Sequence, residues 1–215
     1  MSIRFRQAAG INLGSDPNGG RGAGAATLAF RIRFNWPPAS GGGLIYFHSG
    51  VLDLATSTAV DTAGNRMNFY HNWWMSSGSP SASGQVYSNS VNHVVITYDQ
   101  NDPNKQALYV NGARVLMGNP QTTVFDEYRS TALQLGMFAD AISGSVDFDC
   151  EGVLYLSGYA ATQDEVNALR GGADPMSIGP DAIQRGYWPL MGTPGDTVTA
   201  NDAGITNLLA PSWPS

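Results

Sequence analysis

Lysine is almost missing from this 215-residue chain: Lys105 is the only one, and the other basic residues are arginines. Charged residues make up 13%, against roughly 25% in an average globular protein. The balance is acidic, with a net charge of −6 and an isoelectric point near 4.8. Nucleic acid and anionic membrane surfaces are therefore poor partners. Cysteine is equally scarce. Cys150 stands alone, which excludes an intrachain disulfide and leaves stability to the core. No apolar run approaches the roughly 18 residues of a membrane span, so membrane insertion is not expected. The N-terminus also lacks the charged-then-apolar order of a secretory leader. The expectation is synthesis in a cytoplasm without Sec export; if the protein works outside a cell, release by lysis as part of a virion is the expected route, and a cytoplasmic location is the alternative.

What is present points to β structure. The 26 glycines and 12 prolines supply turns, and 42% hydrophobic content can fill the core of one all-β domain over residues 1–215. Ile3-Arg4-Phe5 alternates from the start. Residues 14–26 are Gly-rich and read as a mobile loop. From Thr27 to Phe34 the alternation places Leu28, Phe30, Ile32 and Phe34 inward, with Arg31 and Arg33 outward. Further strands are expected over 44–47, 51–55, 131–137 and 145–156, with a Ser/Gly/Pro loop over 76–84. Residues 66–75 carry Phe69, Tyr70, Trp73 and Trp74.

The richest stretch is a strand pair. Residues 92–99 set His93, Val95 and Thr97 against Val94, Ile96 and Tyr98; a polar turn over 100–105 leads into Ala107–Val115. Within it Asn111-Gly112 is a tight-turn dipeptide that needs positive φ. One helix stands out near 163–170. Thr162 and Glu165 form a capping box, Val166 and Leu169 give the apolar stripe, and Gly171-Gly172 ends it.

Three pieces carry a family resemblance. Asn92-His93-Val94-Val95-Ile96-Thr97-Tyr98-Asp99 followed by Leu108-Tyr109-Val110-Asn111-Gly112 resembles the hairpin of laminin-G-like domains in the concanavalin A-like lectin/glucanase superfamily. Gly152-Val153-Leu154-Tyr155-Leu156 with the capped helix resembles that family's last inner strand and short helix. Gly186-Tyr187-Trp188-Pro189-Leu190 resembles an element that opens many relatives and closes this chain. The resemblance implies an antiparallel jelly-roll β-sandwich with one short helix, its first and last strands side by side.

Candidate sites follow from residue types. Asp147, Asp149 and Glu151 fall at i, i+2 and i+4 of a strand, so they share one face. They resemble the Glu-x-Asp-x-Glu strand of glucanases of this fold, where one carboxylate attacks and another protonates. Asp147 stands where Glu is expected, and a competing alignment leaves these acids solvated on an ordinary strand. The chain is therefore read as not an enzyme. The resemblance also raises calcium, for which Asp53, Asp99, Asp102, Asp140, Asp196 and Asp202 could donate oxygens. No continuous calcium-loop spacing is present, and turn formation explains such residues as well. The three histidines have no zinc spacing, and His93 is expected to serve packing.

For recognition, the candidates are Trp73, Trp74 and Tyr70, since adjacent tryptophans cannot both enter one core. Arg31 and Arg33, with Arg114 nearby, offer a cationic face toward an acidic partner. The expected function is a non-catalytic recognition or structural module on a phage virion surface, either capsid decoration or tail-associated. Its partners would be capsid or tail proteins, other copies of itself, or glycans. A free-standing carbohydrate-binding lectin-like domain is the alternative, and a glycoside hydrolase the third. Few charges leave sheet edges unguarded, so Trp73, Trp74 and the 14–26 loop are expected at a protein contact.

Overall fold

The computed structural model describes residues 3–5, 10–15, 24–34, 43–48, 53–58, 66–71, 81–85, 87, 90–118, 132–136, 148–188 and 197–198. Side chains are described over 24–33, 90–118 and 149–183, and at 84, 85, 87, 186 and 187. The strands are β1 (Ile3–Phe5), β2 (Gly10–Ser15), β3 (Ala25–Phe34), β4 (Gly43–His48), β5 (Asp53–Thr58), β6 (Arg66–His71) and β7 (Ser81–Gln85). They continue with β8 (Val91–Asp99), β9 (Ala107–Val110), β10 (Ala113–Leu116), β11 (Ala132–Gly136), β12 (Phe148–Ser157), β13 (Gln184–Trp188) and β14 (Thr197–Val198). One α-helix, α1 (Gln163–Arg170), lies between β12 and β13.

These strands form two mostly antiparallel sheets. The larger runs β10-β9-β8-β3-β12, and the far edge of β12 is shared by β1 at one end and β13 at the other. β14 pairs parallel to β1, so the first and last described strands do lie side by side. The smaller sheet runs β2-β11-β4-β5-β6-β7.

The alternation of β8 and β9 decides how the large sheet is used. On one face Leu28 and Phe30 of β3 align with Ile96 and Val94, then with Leu108 and Val110, and Ile32 follows opposite Asn92. This inner face meets the smaller sheet at β7, where Gly84 lies against Val110 and Leu108 so closely that a Cβ would collide with Val110. Glycine is what permits that approach. On the outer face Ala29, Val95, Tyr109, Leu154 and Leu156 pack against Ala161, Val166, Leu169 and Ile178 of the α1 segment. Each such burial of a large aliphatic side chain is worth about 1.5–3 kcal/mol.

Both faces of β3 are consequently buried over Ala25–Phe30, not one as alternation alone suggests. Thr27, on the outward phase, is fully buried and anchors the covering layer. Its hydroxyl donates to Tyr159 O and accepts from Ala161 N–H, each at 2.8 Å. Arg31 and Arg33, further along, are exposed as expected. Tyr109 and Val110 are buried. Asn111 and Gly112 adopt φ of 53° and 86°, and turn the chain from β9 into β10.

The helix forms where the capping box places it. Thr162 is the N-cap, and Glu165 returns its carboxylate to the Thr162 N–H at 2.7 Å. The same carboxylate accepts from Tyr159 Oη at 2.9 Å and from Gly179 N–H at 3.0 Å. Burial alone would raise the Glu165 pKa, but these bonds outweigh it and hold the group below its usual value. Burial, and then Glu165 itself, push the Tyr159 phenol up to about 12.

Several sequence expectations shift. Ser81–Gln85 is strand β7, not loop, because Gly84 lets it seat against the inner face. β2 reaches Ser15 and β3 begins at Ala25, which narrows the 14–26 loop; residues 16–23 lie outside the described residues. β5 spans Asp53–Thr58, later than the 51–55 expected.

Candidate functional site

A pocket of about 290 Å³ opens on the outer face of the large sheet, beside the C-terminal end of α1. Ala29 and Leu154 give it an apolar floor, and Leu169 and Pro175 line it from the α1 side. Four polar side chains complete it: Arg31, His93, Glu151 and Tyr187. The chain leaves α1 through a left-handed turn at Gly172, φ 92°, and Gly172 and Ala173 line the pocket with little side-chain bulk.

A β-bulge assembles the polar part. Cys150 pairs with Ile32 and Gly152 with Arg31, so Glu151 is one residue too many for the ladder. The extra residue brings Glu151 to Arg31, with Oε2 3.5 Å from Nε. It also resets the alternation, which puts Leu154 and Leu156 on the α1 side and Val153 and Tyr155 opposite Phe30 and Leu28. The Arg31 side chain is 56% exposed and that of Glu151 26%, so the pair forms a rim, not a buried bridge. Exposed pairs of this kind contribute about 0–1 kcal/mol to stability.

His93 is the pocket's buried polar group, at 8% exposure. Its backbone is held on both sides by Asn111: its N–H donates to Asn111 Oδ1 at 3.0 Å, and Asn111 N–H donates to its carbonyl at 2.8 Å. The imidazole Nδ1 is buried and has no hydrogen-bond partner. Burial, then the charges of Arg31 and Arg170, lower its pKa from the usual 6.5 to about 4. The ring is therefore neutral at physiological pH. Tyr187, half-buried on β13, pairs in register with Leu154. Burial is the main cause holding its phenol pKa above the usual value.

The sequence candidates separate clearly. Arg31 and Glu151 come together at the pocket rim. Arg33 stands opposite Asp149 in register. Asp149 is buried at 7% exposure, not solvated, and Asp147 lies outside the described residues. Of the two acids among the described residues, Glu151 lines the pocket and Asp149 does not. Arg114 is no neighbour of Arg31: it sits three strands away on β10 and donates to the Asn104 carbonyl. His93 packs, as expected, but also lines the pocket.

For metal, Asp99 accepts from Asn101 N–H at 2.9 Å and lies 3.5 Å from Lys105 Nζ. Asp102 accepts from Asn104 N–H at 3.0 Å. Both therefore form turns. Among the described residues, no three His, Cys, Asp or Glu side chains cluster as a metal ion would need. Asp140, Asp196, Asp202, Trp73 and Trp74 lie outside the described residues. Asp53 and Tyr70 are placed only by backbone, on β5 and β6. The Cys150 thiol is fully buried, and burial pushes its pKa up to about 12, so it is not a nucleophile.

Neither His93 nor Tyr187 was singled out for recognition by the sequence. The available signals were a histidine directly before the apolar run Val94-Val95-Ile96 and a Gly at the bulge, Gly152, next to an acid.

No protein-family model matches the chain, and no curated protein is significantly similar to it. Solved structures share its fold. The HCR/D W1238A mutant superposes with a TM-score of 0.56 at 10% identity, over 79% of this chain and 42% of that one. A botulinum neurotoxin type C structure, concerned with its dependence on two ganglioside molecules, gives 0.52 at 13% identity, over 71% and 37%. The binding domain of botulinum neurotoxin DC, in complex with rat synaptotagmin II, gives 0.51 at 13%, over 69% and 36%. The chain thus spans only 36% to 42% of these longer chains. At such identity the likeness is one of fold.

Proposed function

We propose that this chain is a non-catalytic recognition module whose ligand is a glycan, built on a jelly-roll sandwich of the laminin-G-like kind. The carrying observation is the outer-face pocket, an apolar floor with a few convergent polar groups, which is the usual composition of a ligand site. Fold neighbours that interact with gangliosides or are in complex with synaptotagmin II support a binding role, by analogy of fold alone. Catalysis fits poorly. Glycosidases of this general type need two carboxyl groups flanking the scissile bond, and among the described residues only Glu151 brings one to the pocket. A phage virion surface, with capsid or tail partners, remains the setting proposed from composition. The test is a glycan array probed with the purified chain: saturable binding to a defined set of glycans is expected. A blank array from a folded chain that instead binds a protein partner would refute the glycan assignment.

A further inference from the structure

We infer that the outer-face pocket takes a single uncharged sugar ring, with neighbouring hydroxyls engaging Arg31 and Glu151 and an apolar face against Tyr187. This deepens the glycan reading above and rests on it. Size is the first argument. A volume of about 290 Å³ lies at the lower edge of the range for small-molecule sites, so one ring fits and a buried chain of several does not. The ligand would be the terminal residue of a longer glycan, or a free monosaccharide.

Charge is the second argument. A guanidinium donates only and a carboxylate accepts only, whereas each sugar hydroxyl does both. Arg31 and Glu151, 3.5 Å apart, therefore offer a donor and an acceptor at the spacing of adjacent hydroxyls. Their charges also cancel locally. A carboxylate-bearing sugar would gain Arg31 but sit beside Glu151, a like-charge contact that disfavours it.

His93 supplies the third argument. It lines the same space, and its buried Nδ1 has no partner. That nitrogen is closed to solvent and, left unpaired, costs about 1–3 kcal/mol, a cost that a turn of the ring toward a bound hydroxyl would relieve. A hydroxyl suits a neutral imidazole, since it can donate to or accept from whichever ring nitrogen turns toward it. Tyr187 adds the aromatic surface on which the apolar face of a sugar ring rests.

The experiment is ligand-observed NMR titration of the full chain with galactose, glucose, mannose, N-acetylglucosamine, glucuronic acid and sialic acid. The parent is compared with Arg31→Ala and Glu151→Ala, both partly exposed positions, with thermal melts confirming that each variant is folded. At least one neutral sugar should bind, and each substitution should weaken it tenfold or more. Binding of the acidic sugars alone, lost in Arg31→Ala and improved in Glu151→Ala, overturns the uncharged-ligand assignment. Array binding that both variants retain at parental strength overturns the pocket while leaving the glycan reading intact. A folded parent that binds no glycan by either method overturns both.

Discussion

The two ends of helix α1 show opposite ways of treating polar groups on one covering layer. At its start, Glu165 accepts from the Thr162 N–H and hydroxyl, the Tyr159 hydroxyl and the Gly179 N–H. Both carboxylate oxygens are engaged, and each of these donors has its acceptor. At its end the chain passes Gly172 and Ala173, and beneath them lies a pocket with a buried imidazole nitrogen unpartnered. A satisfied network fixes structure. An unsatisfied group beside open space leaves that end without the same internal fixing, and it is there that the proposed ligand would sit.

The largest effect should come from the core that both ends share. Leu156 is fully buried between the sheet and α1, so Leu156→Ala should cost about 2–5 kcal/mol, read by urea denaturation. It should damage both ends together; a loss confined to one would break the view of a single covering layer.

Next is acid sensitivity at the open end. The folded pKa of His93, about 4, lies below its unfolded value of 6.5, so between these the unfolded chain holds a proton that the folded one does not. Stability is then complete above pH 6.5 and falls as the pH drops toward 4, by about 3 kcal/mol at most for this one group. Arg31, Arg170 and Glu151 are the charges around it, and the two arginines set the sense of the shift after burial. Denaturation at pH 7 and pH 5 should show a smaller difference in His93→Gln than in the parent. An equal difference would show that the slope comes from elsewhere.

At the closed end, Glu165→Ala removes the acceptor for the cap and for Tyr159. A loss of about 2 kcal/mol is expected, with the Tyr159 phenol titrating closer to its ordinary range when followed by ultraviolet absorbance. Ligand binding in the pocket should survive at temperatures where the variant is folded. Simultaneous loss of binding in a fully folded variant would mean the two ends are coupled.

The smallest stability effect belongs to the rim. Arg31→Ala or Glu151→Ala should change unfolding free energy by under about 1 kcal/mol, since the pair is partly exposed. A larger loss would reclassify the rim as structural and remove the contrast with the capped end.

Much of this was legible from residues in order. Thr162, Glu165 and Val166 specified the start of α1 because capping acts over three or four residues. Asn111-Gly112 specified the β9–β10 turn because only certain residues tolerate positive φ. Leu28, Phe30 and Ile32 showed the inner face by their period. The site was only half legible: Arg31 stood out as an outward arginine and Glu151 as one of a row of acids, but nothing local joined them.

What only the tertiary structure decided is which residues meet across long separations. The extra residue at Glu151 cannot be seen without the partner strand β3, because a bulge is a mismatch between two ladders and not a property of either. Thr27 and Ala29 read as an outward face until the α1 segment, more than 130 residues later, covers them. His93 reads as a core residue until the end of that same segment leaves space above it. Local rules set the period, the caps and the turns of this chain; the pocket arises from how non-neighbouring segments close over one sheet face.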